Sequence, residues 1–398
     1  MICYMRLLMV HNFYREDGGE NSVFRAIVGL LRRRGHDVIE YTRNSREIQA
    51  FTTTVKASLL LAGLYSPRTV HEIRSLIARE RPHVAIVQNV FPLISPSIYP
   101  TLRMAGVPVI QMVYNYRFIC PNAHLYTHGS ICERCVRGSM LNAVRYSCYQ
   151  HSAIASAWYA AIIGWHRCIG TFQRIDHFGV PDNFMRHKLG EGGLPVERMI
   201  VLGNPFDLPP RSSSSPEENY VLFVGRIIRQ KGLMTLIRAV SQADDTARLI
   251  VVGDGDDRAR CETEGARLLG DRIEFRGAVW GEPLVDLLAR SMMIAIPSEW
   301  YDNAPLILYQ ALAAGKPVVA SRINGLPEVV SDGVEGLLAQ PGDVTDWAVA
   351  LRRLITSPVR RQEMGRAARR RAESEYTADA FYARLTRLFN AVIPEAAF

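Results

Sequence analysis

Two α/β domains, each a doubly wound parallel sheet, are the fold class this sequence predicts, on three observations. Short apolar runs recur and end in glycine or polar turns: Arg6–Val10, Val84–Asn89 and Val107–Asn115 in the first half, then runs at about 221, 249, 273, 294 and 317 in the second. Segments with the apolar spacing of amphipathic helices separate them, and strands alternating with such helices fold as parallel sheets covered on both faces. The 398 residues, 48% of them hydrophobic, suffice for two cores at roughly 100–200 residues per domain.

Taken in order, Arg6–Val10 is a strand that runs into the glycine loop Gly18-Gly19-Glu20. Asn21 is the expected N-cap of the helix that follows, whose Val23, Ile27, Leu30 and Leu31 share one face. Gly35-His36-Asp37-Val38-Ile39 turns into a second strand, and the runs ending at Asn89 and Asn115 read as buried strands with polar tips. A first domain is expected over residues 1–206, with a cysteine-containing insertion at about 116–150. Pro209–Pro216 is a linker by composition, and a second domain fills 207–376. No repeat of solenoid period is present.

The second half carries the informative motifs. Val221-Leu222-Phe223-Val224-Gly225-Arg226, then Lys231-Gly232 and a helix from Leu233, is a strand, a glycine turn and two cations ahead of a helix start. Glycine admits close approach of backbone, the helix start offers unpaired N–H groups, and Arg226 and Lys231 add positive charge, the elements of a diphosphate cradle. Leu249–Gly255 again gives a strand and tight turn at Gly253, and Ile273–Val279 repeats it at Gly277. Finally an apolar strand, Met293–Ile296, delivers the polar loop Pro297–Pro305; a helix leaves from Pro305 and Gly315 stops it before Lys316-Pro317-Val318-Val319-Ala320-Ser321. Open parallel sheets bind ligands at the carboxyl ends of their strands.

On these motifs the chain resembles the retaining glycosyltransferases of family 4, which have the GT-B fold: two doubly wound domains facing a central cleft. In that family the last helix returns to the first domain, which here implies that 377–398, with a helix over Thr377–Val392, packs back on residues 1–206. The family signature is a pair of glutamates eight positions apart, the first touching the donor sugar and the second the nucleotide ribose. Aligning Gln310-Ala311-Leu312-Ala313 on the second places the first at Asp302. Both depart from the pattern: Asp302 is one methylene shorter, and neutral Gln310 makes a bond weaker by roughly a factor of two than a charge-assisted one. By the same resemblance Arg226 and Lys231 hold the diphosphate and stabilise it as leaving group, Asn303 and Ala304 lie beside the sugar, and the backbone at Gly277–Val279 meets the base. Gly225 and Gly253 line the donor, and Gly18-Gly19 closes over it. Tyr114 stands where the family commonly has a donor-contacting His, a third departure.

Composition bounds the rest. Formal net charge is +8, with Arg32, Arg33, Arg34, Arg43, Arg46, Lys56, Arg68, Arg74, Arg79 and Arg81 crowded into one part of the first domain. Such a run is a solvated face, or it meets an anionic membrane surface or a pyrophosphate-linked lipid. Nucleic acid is disfavoured, because no recognition motif accompanies the charge. The segment Ala153–Trp165 is too short to span a bilayer and reads as a buried helix or an interfacial one. With no secretory signal at the amino terminus, the expected location is cytoplasmic, with peripheral attachment to the inner membrane face as a further expectation. Of seven cysteines, Cys120, Cys132, Cys135 and Cys148 lie close in sequence, with Cys132-Glu133-Arg134-Cys135 a CxxC. They are either a structural zinc site or reduced thiols packed in the insertion.

The expected function is retaining transfer of a sugar from a UDP- or GDP-sugar to a hydroxyl acceptor, a lipid-linked or cell-surface polysaccharide precursor, with no cofactor needed for catalysis. Transfer to a soluble small molecule, a sugar-nucleotide epimerase, and a catalytically impaired nucleotide-sugar-binding homologue are the alternatives; free nucleotide released from donors separates them.

Overall fold

The structure is a computed structural model that describes residues 4–16, 18–52, 61–208 and 216–393. All of the linker stretch but Pro216 lies outside these, as does Lys56. The chain divides into two compact units, one of Met1–His128, Cys132–Pro205 and Ala378–Phe398, the other of Phe206–Thr377 with Gly129–Ile131.

In the first unit the strands are β1 (Arg6–Phe13), β2 (Asp37–Asn44), β3 (Val84–Val87), β4 (Val109–Met112), the two-residue β5 (Tyr126–Thr127), then β7 (His177–Val180) and β8 (Met199–Val201), while the two-residue β6 (Ser130–Ile131) is grouped with the other unit. Six of them form one sheet in the order β2-β1-β3-β4-β7-β8. Every described pairing in it is parallel, with Leu7 opposite both Val38 and Val84. All residues of β3 and β4 are buried, as expected of parallel strands covered on both faces.

The first helix runs Gly19–Arg33 and buries Val23, Phe24, Ile27, Leu30 and Leu31. Its N-cap is Gly18, not Asn21. Asn21 lies buried in the first turn, where its Oδ1 accepts the Tyr14 N–H at 3.3 Å and meets His11 Nε2 at 3.1 Å. The acceptor that a cap requires is spent on the end of β1. The helix Ala378–Val392 belongs to this unit and buries Phe381, Leu385, Leu388 and Phe389. Arg384 Nε donates to Leu202 O at 2.8 Å, and the Tyr382 hydroxyl lies 2.7 Å from His36 Nε2. The return of the last helix, expected from the GT-B resemblance, is therefore present.

The second unit contains β9 (Tyr220–Val224), β10 (Arg248–Val252), β11 (Ile273–Phe275), β12 (Met293–Ile296), β13 (Val318–Ser321) and β14 (Gly336–Ala339). They form a six-stranded parallel sheet in the order β11-β10-β9-β12-β13-β14. Alternate residues feed two cores, the period-two consequence of a strand. Val221, Phe223, Val251 and Ala295 pack with the helices Leu233–Ala243 and Val344–Ile355. Leu222, Ile250, Ile294 and Ile296 pack with Glu282–Arg290 and Leu306–Ala313 on the other face. From β9 the chain winds outward through β10 and β11 and then returns to β12 on the other side, so the topological switch point lies between β9 and β12.

Candidate functional site

The carboxyl ends of β9 and β12 deliver two loops to that switch point. After β9 come Gly225, exposed Arg226 and a single 3-10 turn, Arg229–Lys231, before the helix from Leu233. No side chain caps that helix, so its first N–H groups are open to a ligand. Its N-cap Gly232 has φ 70°, and a Cβ there would stand 1.8 Å from Pro297 O in the loop after β12. Only glycine allows the two loops so close.

Lys231 Nζ donates to Asp302 Oδ2 at 2.5 Å. Ser298 Oγ donates to the same oxygen at 2.8 Å, and Asn324 Nδ2 donates to the backbone oxygen of Asp302. Asp302 is buried and Lys231 half-buried, so the pair is a partly desolvated, charge-assisted contact. Ala304 follows in the left-handed region at φ 40°. Gln310 stands half-buried in the Leu306–Ala313 helix. On the other side of β9, Gly253 N donates to Gly277 O at 2.7 Å, bringing those two turns together. Gly253 has φ 137° and leaves no room for a Cβ, which would meet Gly225 O at 1.8 Å. Val279 packs on the core below.

Four participants carry no role in the sequence reading: Ser298, Glu299, Thr235 and Asn324. Thr235 Oγ1 donates to Glu299 Oε1 at 2.5 Å, and Glu299 N donates to Gln230 O at 2.8 Å, tying the β12 loop to the helix start. Glu299 lies inside the Pro297–Pro305 motif, and Asn324-Gly325 is a turn dipeptide after β13. Those were the available signals.

In the first unit Gly18 and Gly19 are exposed at the start of the first helix, and Tyr114 follows β4. Burial, with the nearby Glu20 carboxyl, pushes the Tyr114 hydroxyl well above its ordinary pKa. Glu20 Oε2 accepts from the Tyr14 hydroxyl at 3.0 Å and from Asn115 Nδ2 at 3.1 Å, and burial raises its pKa. Glu20 Oε1 is buried with no partner among the described residues. Arg117 lies over the Tyr159 ring, 4.3 Å from its centroid, and donates to Pro121 O at 2.8 Å. Gln88, Tyr114, Asn115 and Arg117 line a small recess here.

Cys120 and Cys135 are buried, Cys132 and Cys148 half-buried, and all four are free thiols. Among the described residues no three His, Cys, Asp or Glu side chains are already drawn together as a metal cage.

Residues 207–371 match the family model of the group 1 glycosyl transferases. The chain is 34% identical over 397 residues to a D-inositol 3-phosphate glycosyltransferase of Corynebacterium diphtheriae, covering 88% of this chain and 84% of that one. It is 33% identical over 165 residues to the sulfoquinovosyl transferase SQD2 of Arabidopsis thaliana, covering 41% of this chain and 31% of the relative. The first of the curated relatives it matches are spanned over only 31 to 42% of their length. In fold it is similar to Anabaena HepE solved with UDP (TM-score 0.70, 16% identity, covering 97% of this chain and 100% of that one). Sucrose-phosphate synthase of Thermosynechococcus elongatus is similar too (TM-score 0.72, 19% identity, 99% and 100%).

Proposed function

Because this chain belongs to the group 1 glycosyltransferases of GT-B fold, we propose that it moves a sugar from a UDP- or GDP-sugar to a hydroxyl acceptor with retention of anomeric configuration. The observation that carries this reading is Lys231 held on Asp302 beside the uncapped helix start at the switch point of the second sheet. A lysine ammonium has three donors, so one can stay on Asp302 while the others meet diphosphate oxygens. As the bond from the anomeric carbon to the diphosphate breaks, its electron pair goes to the phosphate oxygen. Arg226, Lys231 and the helix N–H groups meet that growing charge where it develops. The acceptor oxygen bonds to the anomeric carbon on the same face, and its proton passes to the departing phosphate, so the step needs no metal. Asp302, with Asn303 and Ala304, serves the sugar, and Gln310 the ribose. Donor roles for Gly18, Gly19, Gly225, Gly253, Gly277, Val279 and Tyr114 rest on the family resemblance.

A lipid-linked acceptor for cell-surface polysaccharide, met by a cytoplasmic protein at a membrane, is the reading we favour for the second substrate. Its support is an exposed stripe on the helix Ala153–Cys168, where Ile154, Ala161 and Trp165 recur on one side. No helix among the described residues is long and apolar enough to cross a membrane.

Purified protein incubated with UDP-, GDP-, ADP- and dTDP-sugars should release free nucleotide from one donor class. Lys231→Ala or Arg226→Ala should lower that rate at least about tenfold, since each removes a charge-assisted bond of roughly 1.5–3 kcal/mol. Parent-like rates in both variants would sink the cradle. A second reading, a donor-binding homologue with little turnover, is favoured by neutral Gln310 and by the bonds that already occupy Asp302; it predicts donor binding by thermal shift without nucleotide release.

A further inference from the structure

We propose that the first unit holds one hydroxyl of a sugar substrate in the recess between the ends of β3 and β4, with Gln88 and Glu20 as the residues that receive it; the assignment rests on the glycosyltransferase reading above. Two buried oxygens carry the argument, Gln88 Oε1 and Glu20 Oε1, and neither has a partner among the described residues. A buried acceptor left unbonded is costly and uncommon, so each calls for a cause. The neighbouring buried amides are bonded on both sides. Gln111 Nε2 donates to Gln88 O at 2.6 Å, and its Oε1 accepts from the Tyr99 hydroxyl at 2.6 Å. Asn89 Nδ2 donates to Asn12 O at 2.8 Å, and its Oδ1 accepts from Phe91 N at 3.0 Å. Gln88 alone of the three is bonded only through its nitrogen, which donates to Glu20 O at 2.7 Å. Exchanging its nitrogen and oxygen would set two carbonyl oxygens against each other, so the orphaned atom is the acceptor.

These oxygens lie where the fold leaves a ligand little room. Gln88, 5% exposed, lines the recess with Tyr114, Asn115 and Arg117. Glu20 is bonded to two of those residues, to Gln88 through its backbone oxygen and to Asn115 Nδ2 through Oε2 at 3.1 Å. The recess measures about 10 Å³, the room of a single hydroxyl or water. An anion would suit the buried Arg117 guanidinium, which spends Nη1 on Pro121 O and its face on the Tyr159 ring. A phosphate or carboxylate needs more space than this, and it would face the Glu20 carboxyl. The helix Gly19–Arg33 starts at the same place with no side-chain cap, so its first N–H groups are donors for a ligand oxygen. Acceptors beside donors select a group that both gives and takes a hydrogen bond, as a hydroxyl does; an ether oxygen only accepts and an ammonium only donates. Glu20 Oε1 takes the hydroxyl hydrogen when ionised and gives one when protonated, so the preference survives either state. Such a hydroxyl belongs to the transferred sugar or to a sugar of the acceptor, and the chemistry of recognition is the same.

The test is calorimetric titration and initial rates on the full chain, with the nucleotide sugar it turns over and the monodeoxy analogues of that donor. Octyl glucoside and its monodeoxy analogues are the acceptor probes. If the hydroxyl is the donor's, one deoxy donor should bind the parent at least about tenfold more weakly than the intact donor, the effect of one hydrogen bond lost from buried partners. Gln88→Met should then bind the two alike, and Glu20→Gln should narrow the difference. If the hydroxyl is the acceptor's, all the donors should bind alike. The KM for octyl glucoside should instead rise about tenfold in Gln88→Met, with kcat and donor affinity held, and one deoxy glucoside should show the same rise with the parent. Equal binding and rates for every deoxy analogue, on donor and acceptor alike, would overturn the proposal and leave the nucleotide-sugar reading standing. A parent protein that binds no nucleotide sugar would sink both. If the variants fail to fold, the response of the parent to the deoxy series still decides.

Discussion

His11 lies fully buried in β1, stacked on Phe24 with ring centroids 4.6 Å apart and its Nε2 on Asn21. Burial dominates and lowers its pKa to about 4. The folded state therefore excludes a proton that the unfolded chain binds at about 6.5. The stability this contributes is complete above pH 6.5 and is lost as pH falls toward 4, because the unfolded state binds more protons throughout that window. Between pH 7 and pH 5 the loss amounts to about 2 kcal/mol. Denaturant unfolding should show the slope, and His11→Gln should flatten it; an unchanged slope in the variant would place the acid sensitivity elsewhere. Sequence alone marked Lys231, since strand-turn-helix punctuation fixes where its loop emerges, and Asp302 through the resemblance to the family 4 signature. It gave no role to Glu299, Thr235 or Asn324, whose partners stand tens of residues away in sequence or on a neighbouring strand and are met only after folding. Asn21 misled for the same reason: its local capping tendency lost to His11 on β1 and to the Tyr14 N–H just after it.

At the scale of elements, β9, β10, β12 and β13 were legible because each is a largely buried apolar run closed by glycine, proline or a polar residue, whereas β7 and β14 went unnamed. The short elements inside the insertion were not legible either, since loops and two-residue strands leave no periodicity to read. What the sequence could not convey is how closely the β9 and β12 loops approach. Gly232→Ala tests it: a left-handed φ and a Cβ on Pro297 O should together cost roughly 2–3 kcal/mol. The same change should strain the Lys231–Asp302 and Gln230–Glu299 contacts between the two loops and weaken donor binding beyond the loss of stability. Calorimetry and donor titration on one sample distinguish the effects. Normal donor affinity in a destabilised variant would remove the loop contact from the site.

Over the whole molecule, the basic run between Arg32 and Arg81 promises a stronger field than the fold delivers. Arg32, Arg43, Arg68 and Arg79 pair with Glu40, Glu47, Glu72 and Glu80, each at 2.7 Å, and Arg34 pairs with Asp379. Such exposed pairs add little stability, yet they cancel charge that would otherwise reach an anionic surface. The formal excess of +8 still favours anionic lipid, with each cation near the surface worth about 1 kcal/mol. Apolar contact must then supply much of any membrane affinity. The residues placed for it are Ile154, 83% exposed, and Trp165, 50% exposed, on one helix. Vesicle sedimentation should accordingly show binding to anionic lipid that weakens only in part as salt rises, because screening over roughly 8 Å acts on the charges and not on the rings. Replacing Ile154 and Trp165 together by serine should lower binding about tenfold or more, from the apolar area withdrawn. Vesicles ignored at low salt, alongside good turnover on a soluble hydroxyl acceptor, would move the protein to small-molecule glycosylation and leave the nucleotide-sugar reading of the second unit intact.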